Sequence, residues 1–113
     1  MMDLLKGIFK KSYQNIEVTE MNEMLKNFNT VLLDVRTEAE IKEMKIPGSI
    51  AIDFFDKDFK SKVSKLDKSK AYILYCRSGN RSVMACNIMA ENGFSELYNL
   101  SGGIGAYMMY NRK

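Results

Sequence analysis

Residues 71–82 read Ala-Tyr-Ile-Leu-Tyr-Cys-Arg-Ser-Gly-Asn-Arg-Ser, and this stretch decides the fold. Ala71 to Tyr75 are small, aromatic or β-branched with one Leu between, and no charge interrupts them. A strand buried on both faces of a parallel sheet has this pattern. Cys76 follows at once, and four residues separate it from Arg81. From Ser82 to Asn92 the apolar residues Val83, Ala85, Cys86, Ile88, Met89 and Ala90 predict a largely buried helix. The cysteine is therefore expected on a tight loop between a strand's C-terminal end and a helix, where open α/β sheets bind their ligands.

The chemistry of that loop follows from its backbone. Gly79 permits a turn with positive φ, so successive N–H groups can converge on an anion. The start of the next helix adds unpaired N–H groups and the positive end of its dipole. Arg77 and Arg81 add two permanent charges. A thiol held there ionises more readily than a free one, whose pKa is about 8.5. Cys76 is the expected nucleophile in an anion cradle.

The chain has 113 residues, 46% hydrophobic and 27% charged, which fits one globular domain with a core of its own. The net charge of +3 suits a small anionic substrate and is too mild to argue for nucleic acid. With no His in the sequence, Cys–His or Ser–His activation and His-based metal sites are excluded. Cys76 and Cys86 do not make a disulfide framework. Cys86 reads as a small buried helix residue in preference to a resolving thiol.

Residues 1–12 read as an N-terminal amphipathic segment, with residues 13–113 expected to be the domain proper. Met1, Met2, Leu4, Leu5, Ile8 and Phe9 alternate with Asp3, Lys6, Lys10 and Lys11 at helical spacing. Lys6 breaks the apolar run, and no small-residue cleavage site follows, so a signal peptide is not expected. No run approaches the ~18 apolar residues of a membrane span. Asn15–Val18 reads as a first strand. Thr19 then caps a helix through about Asn27, with Met21, Met24, Leu25 and Phe28 on its apolar side. Val31–Leu33 is a second strand ending at Asp34. Asp34 is expected to hold loop N–H groups, and Arg36 and Glu40, spaced i to i+4, to pair. Ile46-Pro47-Gly48 reads as a turn into a strand at Ile50–Ile52. Lysine-rich Asp53–Lys70 reads as a helix with a basic outer face, Asn92-Gly93 as a helix stop, and Leu97–Leu100 as a last strand. A C-terminal helix then runs from Gly102-Gly103 to about Asn111. This alternation predicts a parallel α/β sheet.

Cys76-Arg77-Ser78-Gly79-Asn80-Arg81-Ser82 resembles the active-site loop of the rhodanese-like sulfurtransferases. Leu33-Asp34-Val35-Arg36 with Glu40 and Ile46-Pro47-Gly48-Ser49-Ile50 resemble the family's first signature, and Ser101-Gly102-Gly103-Ile104-Gly105-Ala106-Tyr107 its last. Three matches in order across residues 31–107 are specific. Two positions depart from the pattern. Met44-Lys45 replaces the usual Gly-His, placing a new charge near the substrate mouth, and Tyr107 stands where a Trp is usual.

The resemblance implies a single rhodanese-type domain, with about five parallel strands and helices on both faces. It further implies transfer of a sulfane sulfur, from thiosulfate or a persulfide donor to a thiophilic acceptor, through a persulfide on Cys76. Arg77, Ser78, Gly79, Asn80 and Arg81 are the expected substrate-binding residues, with Ser78 a candidate to hydrogen-bond the sulfur and Ser82 an ordinary helix-start residue. No cofactor or metal is expected. The expected partners are a small anionic sulfur donor and a thiol or thioredoxin-like acceptor, and the expected location is the cytoplasm. Two alternatives stand beside this reading. A non-catalytic persulfide-binding or regulatory module would need the same residues. A cysteine phosphatase or arsenate reductase has five residues between Cys and Arg, where this loop has four.

Overall fold

The computed structural model describes residues 12–112. The amphipathic segment expected at the N-terminus lies almost wholly outside them. Five strands form one sheet: β1 (Gln14–Ile16), β2 (Thr30–Asp34), β3 (Ile50–Ala51), β4 (Ala71–Tyr75) and β5 (Leu97–Leu100). Their order is β1-β5-β4-β2-β3, and every pairing is parallel. The helices are α1 (Val18–Met24), α2 (Glu38–Glu43), α3 (Phe59–Ser64), α4 (Asn80–Glu91) and α5 (Gly103–Asn111).

β4 lies at the centre of the sheet, and its side chains alternate between two cores. Tyr72 and Leu74, with Cys76 continuing the alternation, pack with Phe59 and Val63 of α3 and Ala85, Cys86 and Met89 of α4. Ile73 and Tyr75 face the other way, onto Met21 of α1, Ile46 and Ile104 of α5. Helices thus cover both faces, which is why the strands are apolar on both sides. The central position of β4 places the loop after it between the loops that follow β2 and β5. Ligands bind in this crevice at the carboxyl ends of parallel strands.

β4 and β5 have the predicted bounds, and Gly93 ends α4 with φ +94°. Elsewhere local hydrogen bonds move the boundaries. α1 starts at Val18, with Glu17 before it, because the Glu17 N–H donates to Glu20 Oε1 at 3.0 Å. Thr19 is therefore inside the helix, not its cap, and β1 ends at Ile16. Phe28 is 93% exposed and takes no part in the apolar side of α1. The long helix expected over residues 53–70 shrinks to the six residues of α3. Asp53 Oδ1 accepts from the Phe55 N–H and Asp56 Oδ1 from the Asp58 N–H, both at 2.8 Å. Such Asx turns compete with the helical ladder and hold residues 53–58 in turns.

Candidate active site

The loop from Cys76 to Gly79 is shaped by two glycines with positive φ. Gly79 (φ +111°) caps the N-terminus of α4, so the helix starts at Asn80 and not at Ser82. The N–H groups of the first turn therefore face the loop. Gly103 (φ +58°) lets α5 approach from behind: a Cβ there would lie 2.3 Å from the Cys76 carbonyl oxygen. The Ile104 N–H donates to that same oxygen at 2.9 Å. The Gly-Gly of the C-terminal segment thus sets the back wall of the cysteine loop.

Cys76 is 1% exposed. Its Sγ accepts from the Gly79 N–H at 3.0 Å, and the Ser82 hydroxyl lies 3.4 Å away. Burial raises the thiol pKa. The Ser82 hydroxyl and the backbone N–H groups of Ser82, Gly79 and Ser78 outweigh it, leaving the group below its ordinary value. The cradle thus combines the Ser82 hydroxyl with backbone donors of the kind the loop sequence predicts. Ser82, which reads as a helix-start residue, is fully buried and aimed at the sulfur.

Ser82 leads to a second polar group that sequence reasoning passed over. Its hydroxyl makes a short hydrogen bond with Asn99 Oδ1 of β5, and Asn99 Nδ2 donates to Asn15 Oδ1 at 2.9 Å. Asn99 is buried. The available signal was an Asn inside the otherwise apolar run Leu97-Tyr98-Asn99-Leu100.

The charged residues divide differently from the expected pairing. Arg36 pairs with Asp34, through Nε to Oδ1 at 3.0 Å and Nη2 to Oδ2 at 2.8 Å, and also donates to the Met44 carbonyl at 2.7 Å. Asp34 Oδ1 accepts from the Arg36 N–H too, so it does hold the loop backbone. The Glu40 carboxylate is turned away from Arg36 and takes Arg81 in a bidentate pair, both contacts 2.8 Å. The Arg81 hydrogen bonds, aided by Thr37 and opposed by burial, hold Glu40 down to about 2. Arg81 also lies over the Phe55 ring at 5.5 Å. Its guanidinium is committed to Glu40.

Arg77 is exposed and lines a cleft of about 390 Å³ with Arg36, Glu40, Glu43, Met44, Ile104 and Met108. Lys45, expected near the substrate mouth, does not line this cleft. Ser78 and Asn80 are on the loop and at the first position of α4, with exposed side chains for Arg77, Ser78 and Asn80 alike.

Cys86 is buried against the sheet, and burial pushes its thiol up to about 12. That makes it inert as a nucleophile at neutral pH. Among the described residues no cluster of His, Cys, Asp and Glu could hold a metal ion. None of the described helices is long and apolar enough to cross a membrane.

The same architecture occurs in solved proteins. A rhodanese-related protein from Thermoplasma volcanium superposes with a TM-score of 0.76 at 28% identity, covering 87% of this chain and 93% of that one. A sulfurtransferase of Allochromatium vinosum is 34% identical over 79 residues, 70% of this chain and 72% of the relative. A putative sulfurtransferase of Bacillus subtilis is 40% identical over 76 residues, 67% of this chain and 71% of the relative. A tRNA uridine(34) hydroxylase of Cytophaga hutchinsonii, 32% identical, matches 87% of this chain but only 32% of its own length. The model of the rhodanese-like domain matches residues 17–109, which take in the cysteine loop, the back wall and every strand of the sheet except β1. On its fold, its loop and this match, the chain belongs to the rhodanese-like domain family.

Proposed function

We propose that the protein is a sulfurtransferase that carries a sulfane sulfur as a persulfide on Cys76. The observation that carries this reading is the buried Sγ held by the Gly79 N–H at 3.0 Å, in a cradle whose donors favour the thiolate. With thiosulfate as donor, the Cys76 thiolate attacks the outer sulfur. An Sγ–S bond forms, the donor's S–S bond breaks, and sulfite leaves with the electron pair. The terminal sulfur of the persulfide then carries the negative charge, which the N–H groups of Ser78, Gly79 and Ser82 that favour the thiolate, with those of Asn80 and Arg81 beside them, can meet. An acceptor thiolate next attacks this terminal sulfur and leaves with it, and the Cys76 thiolate is restored. Neither half-reaction needs an outside oxidant or reductant.

Arg77, exposed at the cleft beside the loop, binds the anionic end of the donor. Arg81 contributes its backbone N–H and braces the loop through Glu40. That commitment speaks against a phosphatase or arsenate reductase, which needs the loop arginine free to grip an oxyanion. A reduced thiol as working group suits the cytoplasm.

Steady-state assays with thiosulfate and a small thiol or cyanide test the reading. Parallel double-reciprocal plots are expected, and Cys76→Ser abolishes turnover. Arg77→Ala raises KM for thiosulfate about tenfold with little change in kcat, the cost of one lost charge-assisted contact. Turnover that survives Cys76→Ser overturns the proposal.

A further inference from the structure

The mechanism leaves unexplained why an asparagine is buried inside an apolar strand and tied to the strand beside it. The Ser82 hydroxyl has three neighbours able to accept its hydrogen: Cys76 Sγ at 3.4 Å, the Gly79 carbonyl at 3.1 Å, and Asn99 Oδ1 in a short contact. A hydroxyl has one proton to give. In the arrangement described above it can go to Asn99 Oδ1, while Asn99 gives its own Nδ2–H to Asn15. Asn15 and Asn99 face each other in register on β1 and β5, and Asn15 is exposed at the sheet edge. No buried side-chain polar atom among the described residues lacks a partner, so this chain is fully satisfied.

We propose that Asn99 is a positioning residue for the nucleophile, and that the chain Asn15–Asn99–Ser82–Cys76 reverses its donor direction when the sulfur loses its proton. With Cys76 as a thiol, S–H donates to Ser82 Oγ, Ser82 O–H to Asn99 Oδ1, and Asn99 Nδ2–H to Asn15 Oδ1. When the thiol proton leaves to solvent, the sulfur becomes an acceptor that needs donors. The two carboxamides, whose ends have nearly the same shape, each turn over. Asn15 Nδ2–H then donates to Asn99 Oδ1, Asn99 Nδ2–H to Ser82 Oγ, and Ser82 O–H to Sγ. Apart from the S–H bond, whose proton goes to solvent, only hydrogen bonds change, and each link is satisfied in both directions. A serine alone would share its proton with the Gly79 carbonyl. The asparagine behind it supplies a donor at the moment the sulfur needs the hydroxyl proton.

The charged groups around the loop among the described residues include Arg77 with Glu43 across the same cleft, the Arg81–Glu40 pair with Asp53 near it, and the Asp34–Arg36 pair beside β4. β5 and α5 bring no Asp, Glu, Lys or Arg. None of these charges belongs to the chain, so it can be altered without touching them. The proposal rests on the sulfur-transfer reading only in taking Cys76 as the reacting group.

The test is the midpoint of thiolate ultraviolet absorbance, read as the difference from a Cys76→Ser control in each background. Asn15→Asp puts an acceptor-only group at the sheet edge, where it fixes the Asn99 Nδ2–H outward and keeps Oδ1 on Ser82. The midpoint is expected to rise by about one pH unit. Asn15→Ala leaves Asn99 free to turn and is expected to stay within about 0.3 unit of the wild type. In a Ser82→Ala background, Asn15→Asp is expected to move the midpoint by no more than that. Since Asn15 is exposed, its variants keep the fold; Asn99→Asp repeats the test one link closer. A midpoint indifferent to Asn15→Asp overturns the proposal, as does an equal shift with and without the Ser82 hydroxyl, which would be charge alone. The titration uses no sulfur donor, so it remains readable whether or not Cys76 loads with sulfur.

Discussion

Cys76 sits among Leu33, Tyr72 and Leu74, where an ionised thiol is expensive unless donors surround it. Its neighbours resolve the conflict with the Ser82 hydroxyl and with backbone N–H groups, none of which titrates away. Gly103 is the residue on which that geometry depends most. Any Cβ there meets the Cys76 and Arg77 carbonyl oxygens, at 2.3 and 2.7 Å, and both are backbone atoms with little freedom to move. Gly103→Ala is expected to destabilise the fold by more than about 3 kcal/mol, combining clash with a left-handed backbone. Chemical denaturation checks it, with Gly105→Ala as the comparison, since a Cβ at Gly105 stays 3.9 Å from the Arg77 carbonyl oxygen. Equal stability of the two variants would contradict the picture of α5 as a fitted back wall.

At the scale of elements, α2 and α4 are joined across the loop by Glu40 and Arg81. Glu40 is held at about 2 against an ordinary 4.5, so the folded state binds this proton less readily than the unfolded chain. The pair therefore stabilises the fold fully above pH 4.5, and its contribution is lost as pH falls through about 2. Both side chains are partly exposed, so screening keeps the contribution to about 1 kcal/mol. Glu40→Gln is expected to lower stability by that amount at pH 7, with the gap to wild type closing in acid. A gap that persists at pH 2 would mean that Glu40 acts through packing. These elements also mark the limit of what the sequence discloses. β4 and β5 were legible because their apolar runs are continuous and bounded by turn residues. Residues 53–58 were not, because Asp53 and Asp56 decide the backbone by side-chain bonds that leave helical spacing intact. Glu40's partner was illegible for another reason. The i,i+4 spacing offered Arg36, while the partner chosen lies 41 residues away and becomes close only once β2 and β4 pair.

The whole molecule is a central strand with two cores, and its reacting group sits where β4 runs out between β2 and β5. The position of Cys76 could be read from the strand-to-loop transition, since every βα unit of a parallel sheet ends at the same edge. The polar support behind it, Ser82 and Asn99, could not, because residues 17 apart meet only when α4 folds back onto β5. The central claim is that Cys76 itself carries the sulfur, and intact mass of the purified protein after exposure to thiosulfate tests it most directly. The account predicts a gain of about one sulfur atom on the wild type, reversed by a thiol reductant and absent from Cys76→Ser. No gain with thiosulfate or with a low-molecular-weight persulfide, or an equal gain on Cys76→Ser, would contradict it.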